Sequence, residues 1–181
     1  MSLSQIESKI LNAEFKKTLS DHGLALHVVD STNFKTYARA LSELNVCNAK
    51  HLGRAYETLS YASLQDKGTV GLFLAKPGVN SQTPIIVTAL ILDNSSKSKT
   101  VELGLLCSNK DSRVPGITTK LMNRIPSLAS TLNVNTVKLK PTEVSKSFYT
   151  GLGYVPDVTP FYTKRIGGKR RTRKQKYVRF I

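Results

Sequence analysis

The chain has 181 residues and a formal net charge of +15, from 27 Lys and Arg against 12 Asp and Glu. This length allows a hydrophobic core of ordinary size that needs neither disulfides nor a metal. The longest apolar stretch, residues 85–92, has only the length of a strand, which excludes a membrane-spanning helix and predicts a cytoplasmic protein, or a nuclear one if the host cell has a nucleus.

The first half of the chain predicts helices and strands in turn. Apolar residues recur at mostly helical spacing over residues 3–19, which predicts an amphipathic helix that lies on the domain or on a partner. A strand over 24–30 follows, then a helix that is capped by Ser31 or Thr32 and runs to about residue 45, and then a second helix over about 49–65. The last elements of this half are two strands, over 70–76 and 85–93.

The second half predicts regular alternation of strands at 100–107, 134–140 and 160–166 with helices at 116–133 and 142–152. Pro126 lies in the middle of the first of these helices and should kink it or end it early, because an interior proline costs about 3 kcal/mol. This order predicts an α/β fold with a mixed sheet, in which the strands over 100–107 and 134–140 pair in parallel through a right-handed crossover.

Two motifs in this half carry chemical information. Residues 112–121, Ser-Arg-Val-Pro-Gly-Ile-Thr-Thr-Lys-Leu, follow a strand and open the amphipathic helix. The N–H groups at a helix start have no partner within the helix and carry partial positive charge, so this turn suits a pyrophosphate. The second motif, residues 147–154, reads Ser-Phe-Tyr-Thr-Gly-Leu-Gly-Tyr and places a tyrosine near a helix end that closes on glycine.

Together the two motifs resemble those of the GNAT superfamily of N-acetyltransferases, over roughly residues 23–163. The matching residues are Arg113, Gly116, Tyr149, Gly153 and Tyr154. The chain departs from the family pattern at Thr118, where the family prefers Gly or Ala.

The resemblance implies a GNAT-like α+β fold: a mixed, mostly antiparallel sheet with flanking helices and a central parallel strand pair that splays apart. It divides the chain into an N-terminal amphipathic helix (1–22), an acyl-CoA-binding domain (23–166) and a basic C-terminal tail (167–181). It also implies acetyl-CoA as co-substrate. The residues expected to bind it are Leu106, Cys107, Arg113, Val114, Gly116, Ile117 and Thr118.

Acyl transfer to an amine needs a group that removes a proton and a group that returns one to the leaving thiolate. Tyr149 is the candidate acid; the alternative is that Phe148 and Tyr149 are core aromatics on an amphipathic helix. Glu102 is the candidate base, because the odd-numbered residues of 101–107 are apolar and leave Glu102 on the other face of the strand. A solvated strand carboxylate explains Glu102 as well. Backbone N–H groups near residues 105–107 would bind the thioester oxygen.

The cysteines and histidines predict no further chemistry. Cys47 and Cys107 lie in apolar segments, and we expect both to be small core residues in a reducing compartment. His22, His27 and His51 show no metal-ligand spacing with one another or with the cysteines, so we predict no metal site.

The positive charge is concentrated at the C-terminus, where residues 164–181 hold nine Lys and Arg and no acid. We predict that the tail binds nucleic acid or nucleoprotein; a solvated tail without a partner and a nuclear-localisation signal are the alternatives. The residues expected to contact phosphates are Lys169, Arg170, Arg171, Arg173, Lys174 and Lys176.

These features predict an N-acetyltransferase that moves an acetyl group from acetyl-CoA to a primary amine, with no membrane partner. A surface this basic repels free cationic amines, so a nucleic-acid-associated acceptor is favoured, such as aminoacyl-tRNA or a protein lysine or N-terminus. The alternative is a catalytically inactive protein with the same fold that acts as a nucleic-acid-associated or structural assembly component.

Overall fold

The computed structural model describes residues 3–30, 32–33, 68–76, 83–92, 100–108, 114–158 and 160–166. Seven strands lie within these residues: β1 (Ala25–Val29), β2 (Gly68–Lys76), β3 (Thr83–Leu92), β4 (Thr100–Ser108), β5 (Thr136–Leu139), β6 (Val155–Pro156) and β7 (Tyr162–Arg165). They form one sheet in the order β1-β2-β3-β4-β5-β7-β6. The pair β4 and β5 is parallel and the other pairs are antiparallel, which confirms the predicted mixed sheet.

The helices of the described residues are α1 (Leu3–Ile10), α2 (Ala13–Asp21), α3 (Ile117–Thr131) and α4 (Lys146–Gly151), with a 3-10 turn (Glu143–Ser145) before α4. The predicted helices over 32–45 and 49–65 fall outside the described residues, apart from 32–33. Across the part of the chain that the structure describes, no helix is both long and apolar enough to cross a membrane.

The prediction of one helix over residues 3–19 is wrong, because two helices with a break at Asn12 occupy this segment. Asn12 has an extended backbone, and its side chain accepts a hydrogen bond of 2.8 Å from the Phe15 N–H. An asparagine in this geometry caps a new helix and satisfies one of the N–H groups that lack a partner in the first turn. The break at Asn12 therefore starts α2 and lets both short helices pack on the domain.

Helix α3 continues through Pro126 for five more residues, so the predicted helix is confirmed and the alternative of an early end at Pro126 is wrong. The helix buries an apolar face, to which Ile125, Leu128 and Ala129 contribute with at most 1% of their surface exposed. Burial of a large aliphatic side chain stabilises a fold by about 1.5–3 kcal/mol, so two such residues offset the roughly 3 kcal/mol cost of an interior proline.

One apolar cluster joins the sheet with α1, α2 and α3. Helix α1 contributes Ile6 and Ile10, and α2 contributes Phe15 and Leu19, all at most 4% exposed. Arg124 of α3 adds a polar link, because its Nε donates to the carbonyl of Ile10 (2.9 Å) and its Nη2 donates to the carbonyl of Lys9 (3.0 Å). The N-terminal helices are thus attached to α3 by packing and by hydrogen bonds.

The central strands separate as the GNAT resemblance predicts. Residues 100–103 of β4 pair with 136–139 of β5, where β5 ends, but β4 continues to Ser108. From Gly104 onward, the edge of β4 on the side of β5 is no longer paired with β5. This gap opens beside the N-terminus of α3, and it defines where the site is built.

We predict that Arg124→Met lowers the free energy of unfolding by about 1–3 kcal/mol, because two carbonyls at the end of α1 lose a charged donor. Lys16→Met is the matched control, since Lys16 is exposed on α2. Urea unfolding of both variants measures the difference. Equal stability of the two variants would show that Arg124 does not hold α1 on the domain.

Candidate active site

Gly116 shapes the turn at the start of α3. Its φ of +74° and ψ of −11° lie in the left-handed region, and a Cβ built on it would meet nothing within 4 Å. The backbone angle, and not the available space, therefore favours glycine here. The Gly116 carbonyl accepts from the Lys120 N–H at 3.0 Å, and no side chain caps the helix. The N–H groups of Thr118 and Thr119 are therefore placed to bind an anion.

A cleft of about 740 Å³ extends from this turn to β4 and α4. Its lining residues are Ile86, Leu106, Ser108, Val114, Pro115, Gly116, Ile117, Thr118, Val144, Ser145, Phe148 and Tyr149. Residues of the two sequence motifs, some 30 residues apart, therefore line one cavity. This volume is within the range of pockets that hold small molecules and cofactors.

A β-bulge at Gly104 sets which residues of β4 reach the cleft. Leu90 of β3 pairs with Leu103, and the preceding residue, Ala89, pairs with Leu105, so Gly104 is an additional residue in β4. An extra residue in one strand moves every later side chain to the opposite face. The alternation predicted over residues 101–107 is therefore wrong beyond Leu103.

The bulge turns Leu106 and Ser108 toward the cleft. They pair with Thr88 and Ile86 of β3, both fully buried, and side chains of directly paired residues share a face. Cys107 lies on the opposite face, and its side chain is not among those that line the cleft.

Cys107 is also disulfide-bonded, so the expectation of a free core thiol is wrong for this residue. The other cysteine of the sequence, Cys47, lies outside the described residues.

Tyr149 lines the cleft although only 8% of its surface is exposed. Its ring makes edge contacts with the rings of Phe148 (5.2 Å between centroids) and Tyr154 (5.9 Å). Burial disfavours the phenolate and raises the pKa of Tyr149 to about 12. Tyr149 is thus both a core aromatic and a wall of the cleft, and it is protonated at neutral pH.

Glu102 lies in the paired part of β4, before the bulge, on the face opposite to Val101 and Leu103. Its carboxylate forms an ion pair of 3.0 Å with Lys138 of β5, and both side chains are 32% exposed. Lys138 also lies over the ring of Phe161, 5.4 Å from its centroid. Glu102 is therefore a half-buried, paired carboxylate that lies on the other side of the sheet from Tyr149.

The cleft brings together most of the predicted site residues: Leu106, Val114, Gly116, Ile117, Thr118 and Tyr149. Arg113 lies outside the described residues, and Glu102 and Cys107 do not line the cleft. Sequence reasoning did not assign six of the cleft residues to the site: Ile86, Ser108, Pro115, Val144, Ser145 and Phe148. Phe148 stands beside Tyr149 in the motif, but the place of Ile86 depends on pairing with a distant strand. Among the described residues, no group of three or more His, Cys, Asp or Glu could hold a metal.

Comparison with protein-family models and with curated proteins finds no match for this sequence. Solved structures do share its fold. An acetyltransferase of the GNAT family from Staphylococcus aureus Mu50 is 17% identical, with a TM-score of 0.53 over 78% of this chain and 99% of the other. The chain has the GNAT fold.

Two toxin structures have the same architecture. One is a tyrosine-to-phenylalanine mutant of the AtaT toxin bound to acetyl-CoA and the C-terminus of the antitoxin AtaR, at 12% identity and a TM-score of 0.54 over 79% of this chain and 93% of the other. The other is a KacTA–DNA complex, at 14% identity and a TM-score of 0.51 over 78% of this chain and 92% of the other. The predicted resemblance to GNAT proteins is thus confirmed for the fold.

We predict that the phenol of Tyr149 titrates near pH 12, above the ordinary tyrosine pKa of 10, and that Tyr149→Phe removes this titration. Between these values the folded chain retains a proton that the unfolded chain loses, so the free energy of unfolding falls as pH rises from 10 toward 12. The fall should be shallower in Tyr149→Phe. Tyrosinate absorbance and urea unfolding at several pH values measure both effects. A difference titration with its midpoint near 10 would contradict the burial of this phenol.

Proposed function

We propose that the protein is an N-acetyltransferase that moves an acetyl group from acetyl-CoA to a primary amine on a nucleic-acid-associated acceptor, such as aminoacyl-tRNA or a protein lysine or N-terminus. One observation carries the proposal: a single cleft of about 740 Å³ joins an uncapped helix N-terminus to a buried tyrosine. The first feature suits a pyrophosphate and the second suits proton donation to a thiolate.

The residues of the turn suit the charged end of acetyl-CoA. Gly116 adopts its left-handed conformation without a neighbouring side chain, and the amides of Thr118 and Thr119 lack a capping side chain. The positive end of the α3 dipole adds attraction for phosphate oxygens. Val114 and Ile117 supply apolar surface beside the turn, and the cleft continues to Leu106, where a thioester would lie next to β4.

Tyr149 is the proposed acid. When the neutral amine forms a C–N bond to the acetyl carbon and the C–S bond breaks, the hydroxyl of Tyr149 would donate its proton to the sulfur. The proton that the nitrogen then loses as it becomes an amide would return to the Tyr149 phenolate. Its pKa of about 12 is roughly 3.5 units above that of a free thiol near 8.5, a difference of about 5 kcal/mol against full proton transfer. Desolvation in the same cleft raises the pKa of the thiol as well and reduces this difference.

Glu102 is the proposed base, which takes the proton that the attacking ammonium loses. Its ion pair with Lys138 keeps the carboxylate oriented at the last paired residues before the strands separate. Acid and base would then act from opposite faces of the sheet, across the gap between β4 and β5. This arrangement keeps the two proton transfers apart and leaves the gap itself for the reacting carbonyl.

The charge of the chain favours an acceptor that is carried on a polyanion. The chain has 27 basic and 12 acidic residues, and six of the basic residues lie in the segment from Lys169 to Lys176. Phosphate contacts from such a segment supply affinity without sequence specificity. The fold neighbours AtaT, with acetyl-CoA and an antitoxin, and KacTA, with DNA, are consistent with a soluble co-substrate and nucleic-acid or protein partners.

Thr118 favours a second candidate function. Its side chain lines the cleft at the position where the family motif has Gly or Ala, so it occupies space near the proposed pyrophosphate. A protein that had lost cofactor binding in this way would act as a nucleic-acid-associated or structural assembly component. Binding of acetyl-CoA distinguishes the two functions.

We predict that the nucleic-acid-free protein binds acetyl-CoA with a Kd on the order of micromolar in calorimetry. Gly116→Asp should weaken binding by about tenfold or more, because Asp tolerates the left-handed backbone but places a negative charge at the turn. Gly151→Asp is the matched control, since Gly151 is an exposed helix glycine with open space around it. A folded wild-type protein that does not bind would support the assembly function.

We also predict transfer of radiolabelled acetyl groups to aminoacylated tRNA, with the same tRNA after deacylation as the control. Tyr149→Phe should lower kcat by about 10²-fold or more with little change in the KM for acetyl-CoA. A chain that ends at residue 166 should retain kcat but need more tRNA and lose most of the salt dependence. Unchanged turnover in Tyr149→Phe would remove Tyr149 from the mechanism.

A further inference from the structure

Thr88 is a polar residue in the middle of an apolar row of β3. Its neighbours on the same face, Ile86 and Leu90, are fully buried, and so is Thr88 itself. Among the described residues, the buried polar residues are Thr18 and Thr88. A hydroxyl in such surroundings destabilises the fold unless it has a hydrogen-bond partner. The partner of Thr88 therefore indicates why a threonine is present.

The hydroxyl of Thr88 donates a hydrogen bond of 2.8 Å to the carbonyl of Leu105. Leu105 directly follows Gly104, the extra residue of the β-bulge, where the regular ladder between β3 and β4 is interrupted. A side-chain donor from the neighbouring strand thus satisfies the first carbonyl after the bulge. This bond fixes the orientation of one particular peptide group, the one between Leu105 and Leu106.

The orientation of that peptide group determines where the Leu106 N–H points. In a planar trans peptide the C=O and the following N–H point in opposite directions. Because the Leu105 carbonyl points to Thr88 of β3, the Leu106 N–H points away from β3, toward the edge of β4 that β5 leaves after residue 103. Leu106 also lines the cleft that contains Tyr149.

We propose that Thr88 is a positioning residue for the acyl group: through the Leu105 carbonyl, it aims the Leu106 N–H at the carbonyl oxygen of a bound thioester. This inference rests on the proposed function. An N–H that is fixed before binding stabilises the charge that develops on that oxygen without reorganisation during the reaction. Thr88 makes no contact with the substrate in this role, and its effect passes through one peptide plane.

The test compares acetyl-CoA with CoA, which lacks the acetyl carbonyl. Thr88→Val keeps the shape of the side chain and removes the hydroxyl, whereas Thr88→Ser keeps the hydroxyl. We expect Thr88→Val to raise the Kd of acetyl-CoA by about five- to tenfold and to change the Kd of CoA by less than about twofold. Thr88→Ser should bind both ligands like the wild type. Thr18→Val is the matched control for loss of a buried threonine hydroxyl. The Thr18 hydroxyl donates to the Glu14 carbonyl within α2 and accepts from Lys120 Nζ of α3, and none of these three residues lines the cleft.

Infrared spectra of acetyl-CoA labelled with carbon-13 at the acetyl carbonyl provide a second readout. A hydrogen bond from Leu106 lowers the carbonyl stretching frequency on binding, and Thr88→Val should lose that shift while Thr18→Val retains it. If Thr88→Val does not fold, Thr88→Ala replaces it against Thr88→Ser. Equal weakening for CoA and acetyl-CoA, or an unchanged carbonyl frequency, would overturn the role of Thr88 while leaving acetyl-CoA binding established. A wild-type protein that binds neither ligand would overturn the proposed function itself, and this inference with it.

Discussion

The separation of β4 from β5 is the constraint on which the site depends. The two strands share four paired residues, and then β5 ends while β4 continues for five more residues. Gly104 lies at the point of separation and bends β4 through a bulge, which exposes backbone that a continuous sheet would have paired. Because α3 begins beside this gap, its uncapped N-terminus and the open edge of β4 face the same cavity.

Burial and charge give the two parts of the cleft, near Gly116 and near Tyr149, different chemical properties. At one end, backbone amides and the α3 dipole provide positive potential without a side chain that must be oriented. At the other end, Tyr149 lies among aromatic rings that exclude water and keep its phenol protonated. Glu102 remains on the opposite face of the sheet, where Lys138 balances its charge. The cleft therefore combines the uncapped N-terminus of α3 with apolar lining at Leu106 and Phe148.

Local sequence patterns predicted the strand order near the site, the parallel crossover, the turn at Gly116 and the helix that carries Tyr149, because each depends on neighbouring residues. They did not predict the break at Asn12, where a side-chain cap overrides a continuous helical pattern. They left open whether α3 kinks or ends at Pro126, because its continuation to Thr131 depends on tertiary burial of Ile125 and Leu128. The bulge at Gly104 is the unpredicted feature with the largest effect on the site. It moves the side chains that follow Gly104 to the opposite face of β4 and so places Leu106 and Ser108 in the cleft. A glycine inside a strand is compatible with a bulge, but only the pairing with β3 locates the extra residue and determines which later side chains face the cleft.

Backbone amide NMR during titration with acetyl-CoA would decide whether the cleft binds this co-substrate, because it reports the position of the ligand on the chain. We predict that the largest shifts belong to the amides of Gly116, Thr118 and Thr119, at the proposed pyrophosphate site, and to Leu106 at the proposed acyl site. Amides of α1, which contributes no residue to the cleft lining, should not move. Shifts confined to the basic tail, or shifts spread evenly over the domain, would contradict an acyl-CoA site in this cleft.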